Sequence, residues 1–591
     1  MAALKTAFFR IKIKINGYPN TIILISSLLL ACRGIYHLLL SLRWPLSLSP
    51  DATLLSMDAW MWLHGNVPYR DFFAINLPFS HIVHALGILA FGDTDTGLRL
   101  LNLSALLIAA FVSSLYLWRH SRLAAIVAFS LTLTLTAEAS TFGQLQRETL
   151  LLPVWIGALW MIEKIIQAAS YRLWIVWGAL LGVSLLIKPT SFFFGAMLFF
   201  YFAIRTHGRN IRISWKESAI TLTRTVLMAG CGLLVVFLVP VILGYPPDYL
   251  LLWKKNLDVF TYGIPLVPPS RLLFRPLTLH PENILNSWNK PYSIEGELVI
   301  GVFTLFHVAV LAAFVMYYRK DTEKLSLLFL VAGGYISYLI QRRGYAYHLI
   351  PVWHGLNLML SVLIADFARK HQAREKKPSK GVFLKSSYFK YLAIFLMLLV
   401  LVRFRNSERV YSDTGFGYLL KPTTPPTIPI VAEINATANV LREKKPERRP
   451  SIQLLELNTL ALGAVLGHDI EYASGFAVAD PIVSSHPDAS FFRKKLMTAL
   501  KRRPPDLFVI ALFRDSLEDV LKDAPEIRSF LEEHYYPYKR VNVQPEYLIF
   551  VHNDLSPYFP GTISTDSPSP ETNGIPNSSK TIEAYTETNL H

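Results

Sequence analysis

The sequence predicts a polytopic α-helical membrane protein. It would be a bundle of about 11–13 transmembrane helices with interfacial helices in its first external loop, followed by a small extracytoplasmic α/β domain. Three observations predict it. Hydrophobic residues fill 52% of the 591 positions and charged residues only 17%, too few charges to clothe soluble domains of this size. The apolar residues come in runs of about 20, long enough to cross the hydrocarbon core of a bilayer. The net charge of +16 gathers in short loops between those runs.

The basic loops set the sidedness. Lys5, Arg10, Lys12 and Lys14 precede the first run and hold the N-terminus inside. The first run, 20–42, then delivers a loop at 43–76 to the exterior, and reads as a retained anchor because no small-residue cleavage site follows it. Runs at 97–117, 123–139, 149–168, 173–188 and 190–204 alternate, bringing 119–122, Lys164 with Arg172, and 205–216 inside. The run at 219–243 leads to an external segment at 244–296. Those at 297–318, 325–341, 347–366 and 388–403 complete about 11 crossings, with Arg319, Lys320 and the 369–385 loop inside. The apolar stretch 77–91 is short, and a crossing there would put later basic loops on the wrong side, so it reads as interfacial or re-entrant. Charge placed this way records topology and argues against nucleic acid as a partner. Cys32 and Cys231 both fall inside apolar runs, which excludes a disulfide framework and a cysteine metal site.

The membrane domain thus spans 1–403. Past it, Pro422, Pro425, Pro426 and Pro429 mark a linker and the charge rises. Segments 451–457, 507–512 and 547–552 read as strands and 489–502 and 515–534 as helices, the alternation of an α/β domain over 404–555. The Ser-, Thr-, Pro- and Asn-rich stretch 556–591 reads as a disordered tail.

With this topology, polar residues that connectors do not need collect outside: Asp51, Asp58 and Asp71; Gln144, Gln146, Arg147 and Glu148; Lys188 before Pro189; Gln341, Arg342, Arg343 and His348. Inner loops offer mainly Lys and Arg, so any chemistry faces outward. Asp51 follows Pro50 at a helix start, where the dipole favours an anion and where an Asp also serves as a plain cap. Leu54, Leu55, Trp60, Trp62 and Leu63 would form the apolar face of an interfacial helix. Gly65-Asn66 turns the chain, and Tyr69-Arg70-Asp71 offers a surface ion pair of little worth. Arg147 and Glu148 at one helix end, and Lys188 at another, also suit side chains that snorkel to water.

The string Asp51…Gly65-Asn66-Val67-Pro68-Tyr69-Arg70-Asp71-Phe72-Phe73…Pro78, then Phe91-Gly92 and Leu98-Arg99-Leu100, resembles the first external loop of GT-C glycosyltransferases. It is nearest to the protein O-mannosyltransferase and lipid A aminoarabinose transferase branches. Gly143-Gln144-Leu145-Gln146-Arg147-Glu148-Thr149 resembles a Gln-Arg-Glu-His segment of a bacterial branch, with Thr149 where His is usual. Gly182…Lys188-Pro189 resembles its Gly…Lys-Pro, and 341–348, ending Tyr347-His348, its external Gly-aromatic-X-Tyr-His motif. The resemblance covers residues 20–370.

It implies an inverting transfer of sugar from a polyprenyl-phosphate donor to an extracytoplasmic glycan, lipid or protein, in a bilayer of the bacterial inner-membrane type. Asp51 falls at the position of the catalytic base, with Ala52 replacing the usual Glu, which keeps Asp58 and Asp71 open as contributors. Tyr69, Arg70, Asp71, Arg147, Glu148, Lys188, Arg342, Arg343 and His348 are the implied donor-phosphate or substrate-binding residues. No cofactor is established. A divalent cation is open, since Asp51 and Asp71 alone are too few ligands to define its site. A nucleotide-sugar donor fits poorly: Asp93-Thr94-Asp95 has a metal motif's spacing but sits in a turn before Gly97 and reads as a helix cap. The alternative, a transporter or flippase of a lipid-linked saccharide, would need ionisable groups at mid-membrane and internal repeats. Arg33 and Arg224 are the exceptions inside the runs, and no repeat is visible.

Overall fold

Helices of Leu, Ala, Phe and Val dominate the chain up to residue 375, and a five-stranded sheet follows. The computed structural model describes residues 18–42, 50–134, 145–168, 170–207, 215–262, 266, 308–342, 346–375, 428–457, 459–512, 516–543 and 545–560. The expected run at 388–403, residues 404–427 and the tail beyond 560 lie outside the described residues.

Among the described residues, four helices are long and apolar enough to cross a membrane: Asp95–Trp118, Arg147–Ala168, Thr223–Ile242 and Tyr347–Arg369. Shorter apolar helices fill in around them, among them Arg122–Thr134, Tyr171–Ile187, Ser191–Thr206 and Ser326–Gln341. Burial sorts their places: the apolar window of Tyr347–Arg369 is 83% buried and runs through the bundle, whereas that of Thr223–Ile242 is 22% buried and lies at its edge. Small residues allow the closest crossing. A Cβ on Gly178 would stand 1.9 Å from the Ala229 carbonyl oxygen, and one on Gly232 1.9 Å from that of Ile175. The Tyr171–Ile187 and Trp215–Ile242 helices therefore meet backbone to backbone, which only glycine allows.

The first loop folds as the Pro50–Leu63 helix, a turn, and the Pro78–Phe91 helix. An interfacial helix should show one apolar face, but residues 52–59 are all buried. The reason is a second cover. Met57, Met61, Phe72 and Phe73 belong to one hydrophobic core with Leu454, Phe476, Phe492 and Leu496 of the C-terminal unit. Phe73 stacks near Phe476, with ring centroids 6.4 Å apart, and meets Phe492 edge-on at 5.2 Å. The Phe73 N–H donates to the Gly475 carbonyl at 2.7 Å, and a Cβ on Gly475 would stand 2.1 Å from the Asp71 carbonyl oxygen.

In that unit the strands are β1 (Ser451–Leu455), β2 (Glu471–Tyr472), β3 (Leu507–Leu512), β4 (Tyr535–Val541) and β5 (Glu546–His552), in the order β2-β1-β3-β5-β4. β1 is parallel to β2 and β3; β5 runs antiparallel to β3 and β4. The buried β1 and β3 read clearly in the sequence as apolar runs. β2 is two residues long, and β4 holds Pro537, Lys539 and Arg540 with a register shift between Pro537 and Lys539, so neither gives a strand pattern. The expected helix at 515–534 is two helices, Leu517–Val520 and Pro525–His534, because Pro525 fits a first turn and not a helix interior. Just past β1, the Glu456 carboxylate accepts the N–H groups of Ala461 and Leu462 and the Tyr547 hydroxyl, which pins the loop that faces the membrane unit.

Candidate active site

Three buried ionisable side chains converge where four helices end. Glu148 stands in the first turn of Arg147–Ala168, where an anion complements the helix dipole. Lys188 follows Tyr171–Ile187, with its backbone already extended (φ −152°) ahead of Pro189. His348 lies in the single 3-10 turn Ala346–Leu349 that opens the Ile350–Glu375 helix. The Lys188 ammonium donates to Glu148 Oε1, and His348 Nδ1 lies 2.5 Å from the same oxygen and 3.0 Å from Lys188 Nζ. One Nδ1 cannot both donate to Glu148 and accept from Lys188, so the proton on the ring selects between the two bonds. Among the described residues, Glu148 Oε2 is buried without a hydrogen-bond partner. The charges of Glu148 and Asp51 both act on Lys188.

Asp51 stands beside this group. It occupies the first turn of the Pro50–Leu63 helix and is only half-buried. The Tyr347 hydroxyl donates to Asp51 Oδ2 at 2.8 Å, so among the described residues Oδ1 is the oxygen left for a further donor. The Tyr347 ring meets the next residue, His348, edge-on at 4.3 Å. Two hydrogen bonds fix the surrounding frame. Ser80 Oγ donates to the Ile187 carbonyl at 3.2 Å, and Ser337 Oγ to Thr190 Oγ1 at 2.7 Å. The arrangement offers a partly accessible carboxylate next to a buried cation whose charge is shared with a second carboxylate.

Of the residues predicted from sequence, the structure brings Asp51, Glu148, Lys188 and His348 together. Arg147 is half-buried at the same helix end, its charge acting on Glu148 and Lys188. Arg342 closes Ser326–Gln341 in a left-handed conformation (φ 50°) and is half-buried; Arg343 lies outside the described residues. Tyr69, Arg70 and Asp71 have other partners. The Tyr69 hydroxyl donates to the Asn76 carbonyl at 2.5 Å, from a backbone at φ 64°. Arg70 and Asp71 pair with each other at 2.9 Å, and Lys495 of the C-terminal unit donates to the Arg70 carbonyl. That Arg70 hydrogen bond holds the Asp71 carboxyl below its ordinary pKa. Among the described residues no group of three or more His, Cys, Asp or Glu could hold a metal ion. Thr94, not an aspartate, caps the next helix, accepting the Gly97 N–H at 3.2 Å as expected of that turn. Sequence reasoning passed over Tyr347 as a site residue. The signal was present, since a phenol next to His348 in the same external motif can donate to an acid.

Residues 78–239 match the family model described as dolichyl-phosphate-mannose-protein mannosyltransferase. That span contains Glu148 and Lys188 and stops short of Asp51 on one side and His348 on the other. No curated protein matches the chain. Among solved structures, ArnT from Cupriavidus metallidurans bound to undecaprenyl phosphate is 14% identical with a TM-score of 0.49, covering 88% of this chain and 97% of that one. An oligosaccharyltransferase from Archaeoglobus fulgidus, in complex with zinc and sulfate, is 11% identical with a TM-score of 0.43, covering 90% and 73%. Through residues 78–239, the membrane region of this chain is similar to the mannosyltransferases of the GT-C glycosyltransferase superfamily.

Proposed function

We propose that this protein is an inverting glycosyltransferase that moves a sugar from a polyprenyl-phosphate donor to an acceptor hydroxyl on the outer face of a bacterial-type inner membrane. The observation that carries the reading is the half-buried Asp51, held by Tyr347 beside the buried Glu148, Lys188 and His348. Apolar helices beside this group suit an isoprenoid tail, and the partly accessible carboxylate suits a polar acceptor.

In a single displacement the acceptor oxygen forms a bond to the anomeric carbon while the bond from that carbon to the phosphate oxygen breaks. The acceptor proton passes to Asp51 Oδ1, the oxygen that Tyr347 does not occupy. The breaking bond's electron pair goes to the lipid phosphate, whose growing charge calls for fixed cations. Lys188 supplies one, and its pairing with Glu148 keeps it in place with its charge balanced. Arg147 and Arg342, half-buried at neighbouring helix ends, are the other phosphate-binding candidates, and a guanidinium can grip two oxygens at once. His348, between Glu148 and Lys188, holds or yields a proton as that pair's charge changes. The reading centres on Arg147, Glu148, Lys188, Arg342 and His348, and Arg343, outside the described residues, stays among the phosphate-binding candidates.

The donor class is tested with the full-length protein in proteoliposomes, given labelled sugar on polyprenyl phosphate or on a nucleotide, with a membrane extract as acceptor. Label should leave the lipid-phosphate donor with inversion at the anomeric carbon. Transfer directly from the nucleotide sugar, or retention of configuration, contradicts the reading.

A further inference from the structure

The Pro50–Leu63 helix carries a second acid that the proposed chemistry leaves unused. Asp58 follows Asp51 by two helical turns, so both lie on one side of the helix, about 10 Å apart along its axis. Their surroundings are opposite. Asp51 is half-buried, whereas Asp58 is 0% exposed. His81 Nε2, on the Pro78–Phe91 helix, lies 3.3 Å from Asp58 Oδ2. The other ring nitrogen, His81 Nδ1, lies 3.2 Å from the hydroxyl of Tyr245, just past the end of Trp215–Ile242. Among the described residues neither Asp58 oxygen nor His81 Nε2 has a hydrogen-bond partner, so the Asp58–His81 approach is a close polar contact, and with the Nδ1–Tyr245 pair it links the three groups in one buried row. Beside it, Ser56 Oγ and His84 Nδ1 lie 3.1 Å apart across the same two helices.

An acid and an imidazole are a costly way to fill an interface between two helices that leucines would pack. What they add is direction. A close approach of two buried polar groups, each costly to leave facing apolar atoms, fixes the rotation of one helix on another, where an apolar contact tolerates sliding. The Pro78–Phe91 helix is also tied to the other half of the site: Ser80, next to His81, donates to the carbonyl of Ile187, the residue before Lys188. One short helix therefore grips the base's helix through His81 and the cation's chain through Ser80.

We propose that Asp58, His81 and Tyr245 are positioning residues that lock the Pro50–Leu63 helix onto the Pro78–Phe91 helix and so set Asp51 relative to Lys188. This rests on Asp51 acting as the base. The group touches neither donor nor acceptor. It acts by holding the carboxylate where a displacement of about 1 Å costs on the order of a hundredfold in rate.

The test uses the full-length protein in proteoliposomes with a polyprenyl-phosphate sugar donor, comparing Asp58→Asn, His81→Gln, their double variant, Asp58→Leu, Tyr245→Phe and Asp51→Asn. Asp58→Asn and His81→Gln should each lower kcat about ten- to a hundredfold with donor KM within about twofold. The double variant should be no slower than the slower single one, because both break the same contact. Asp58→Leu should be as thermostable as the parent yet as slow as Asp58→Asn. Tyr245→Phe, which removes one oxygen, should show the same kcat loss in smaller measure, and reads the effect even if an Asp58 variant fails to accumulate. Full activity in Asp58→Leu, multiplied losses in the double variant, or losses that follow only the folded fraction would overturn the proposal. Full activity in Asp51→Asn would instead remove the base assignment, while the Asp58–His81 coupling is still read from its own double-mutant cycle.

Discussion

The same helices carry two buried polar clusters, one at each end. At the end beside Asp51, outer in the proposed topology, Arg147–Ala168 presents Glu148 to Lys188 and His348; about 22 Å along the same helix, by its rise per residue, at the end proposed to be inner, it presents Glu163. Glu163 accepts the Tyr116 hydroxyl at 2.7 Å and pairs with Arg119, while Tyr116 also meets Ser326 Oγ at 2.9 Å. Nearby, Asp366 takes Lys324 at 2.7 Å and Arg369 at 2.9 Å. Both ends hold buried ion pairs, so burial of charge does not by itself mark a site. The inner cluster matches each of its two acids with cations and leads to Arg122, Arg319 and Lys320 of the basic loops. Each cluster holds a buried atom without a hydrogen-bond partner among the described residues, Glu148 Oε2 in one and Arg119 Nε in the other. The outer cluster differs in what stands beside it: a half-buried carboxylate, Asp51, held by Tyr347. A partly accessible acid next to the buried ion pair separates a site from a structural knot.

Substitutions at the two ends break that comparison in different ways. Asp51→Asn keeps the Tyr347 bond but cannot take a proton, and should lower transfer by about a thousandfold, within the usual range for a lost general base. Multiple-turnover assays of the purified variant check this, and activity near the parent's would remove Asp51 from the base role. Lys188→Met should cost about a hundredfold in kcat, since Glu148 is left buried without its cation and the phosphate loses a fixed charge. Donor kinetics should show kcat falling more than KM rises.

At the inner end, Glu163→Gln should change activity per folded molecule by less than about twofold but lower the melting temperature, because Arg119 loses a buried partner. A large loss of kcat there, with folding intact, would erase the distinction between the ends. The smallest effect is expected at Arg70→Ala. Its side chain is 65% exposed and bound to Asp71, so transfer should stay within about twofold of the parent.

Much of this division was legible in the sequence. The alternation of basic loops placed Asp51, Glu148, Lys188 and His348 on one side, and the structure brings those four together. Their convergence was not legible, because ends of distant helices meet only through packing. The aspartates were harder to rank. Asp71 sits in the most recognisable string of the first loop, yet it serves Arg70 and the Val67 N–H. Asp58 lies in an unremarkable apolar helix, and its partner His81 is one of two histidines in another. Nor did the sequence show that residues 52–59 are covered by the C-terminal unit, since a buried helix and a lipid-facing one have similar composition.

The most direct test is to photocrosslink a polyprenyl-phosphate analogue to the full-length protein in membranes and map the labelled peptides. Label carried at the phosphate end should appear on peptides holding Asp51, Arg147–Glu148, Lys188 or Tyr347–His348. Label concentrated instead around Arg119, Lys324 and Arg369 would place the lipid phosphate at the inner cluster and contradict the account.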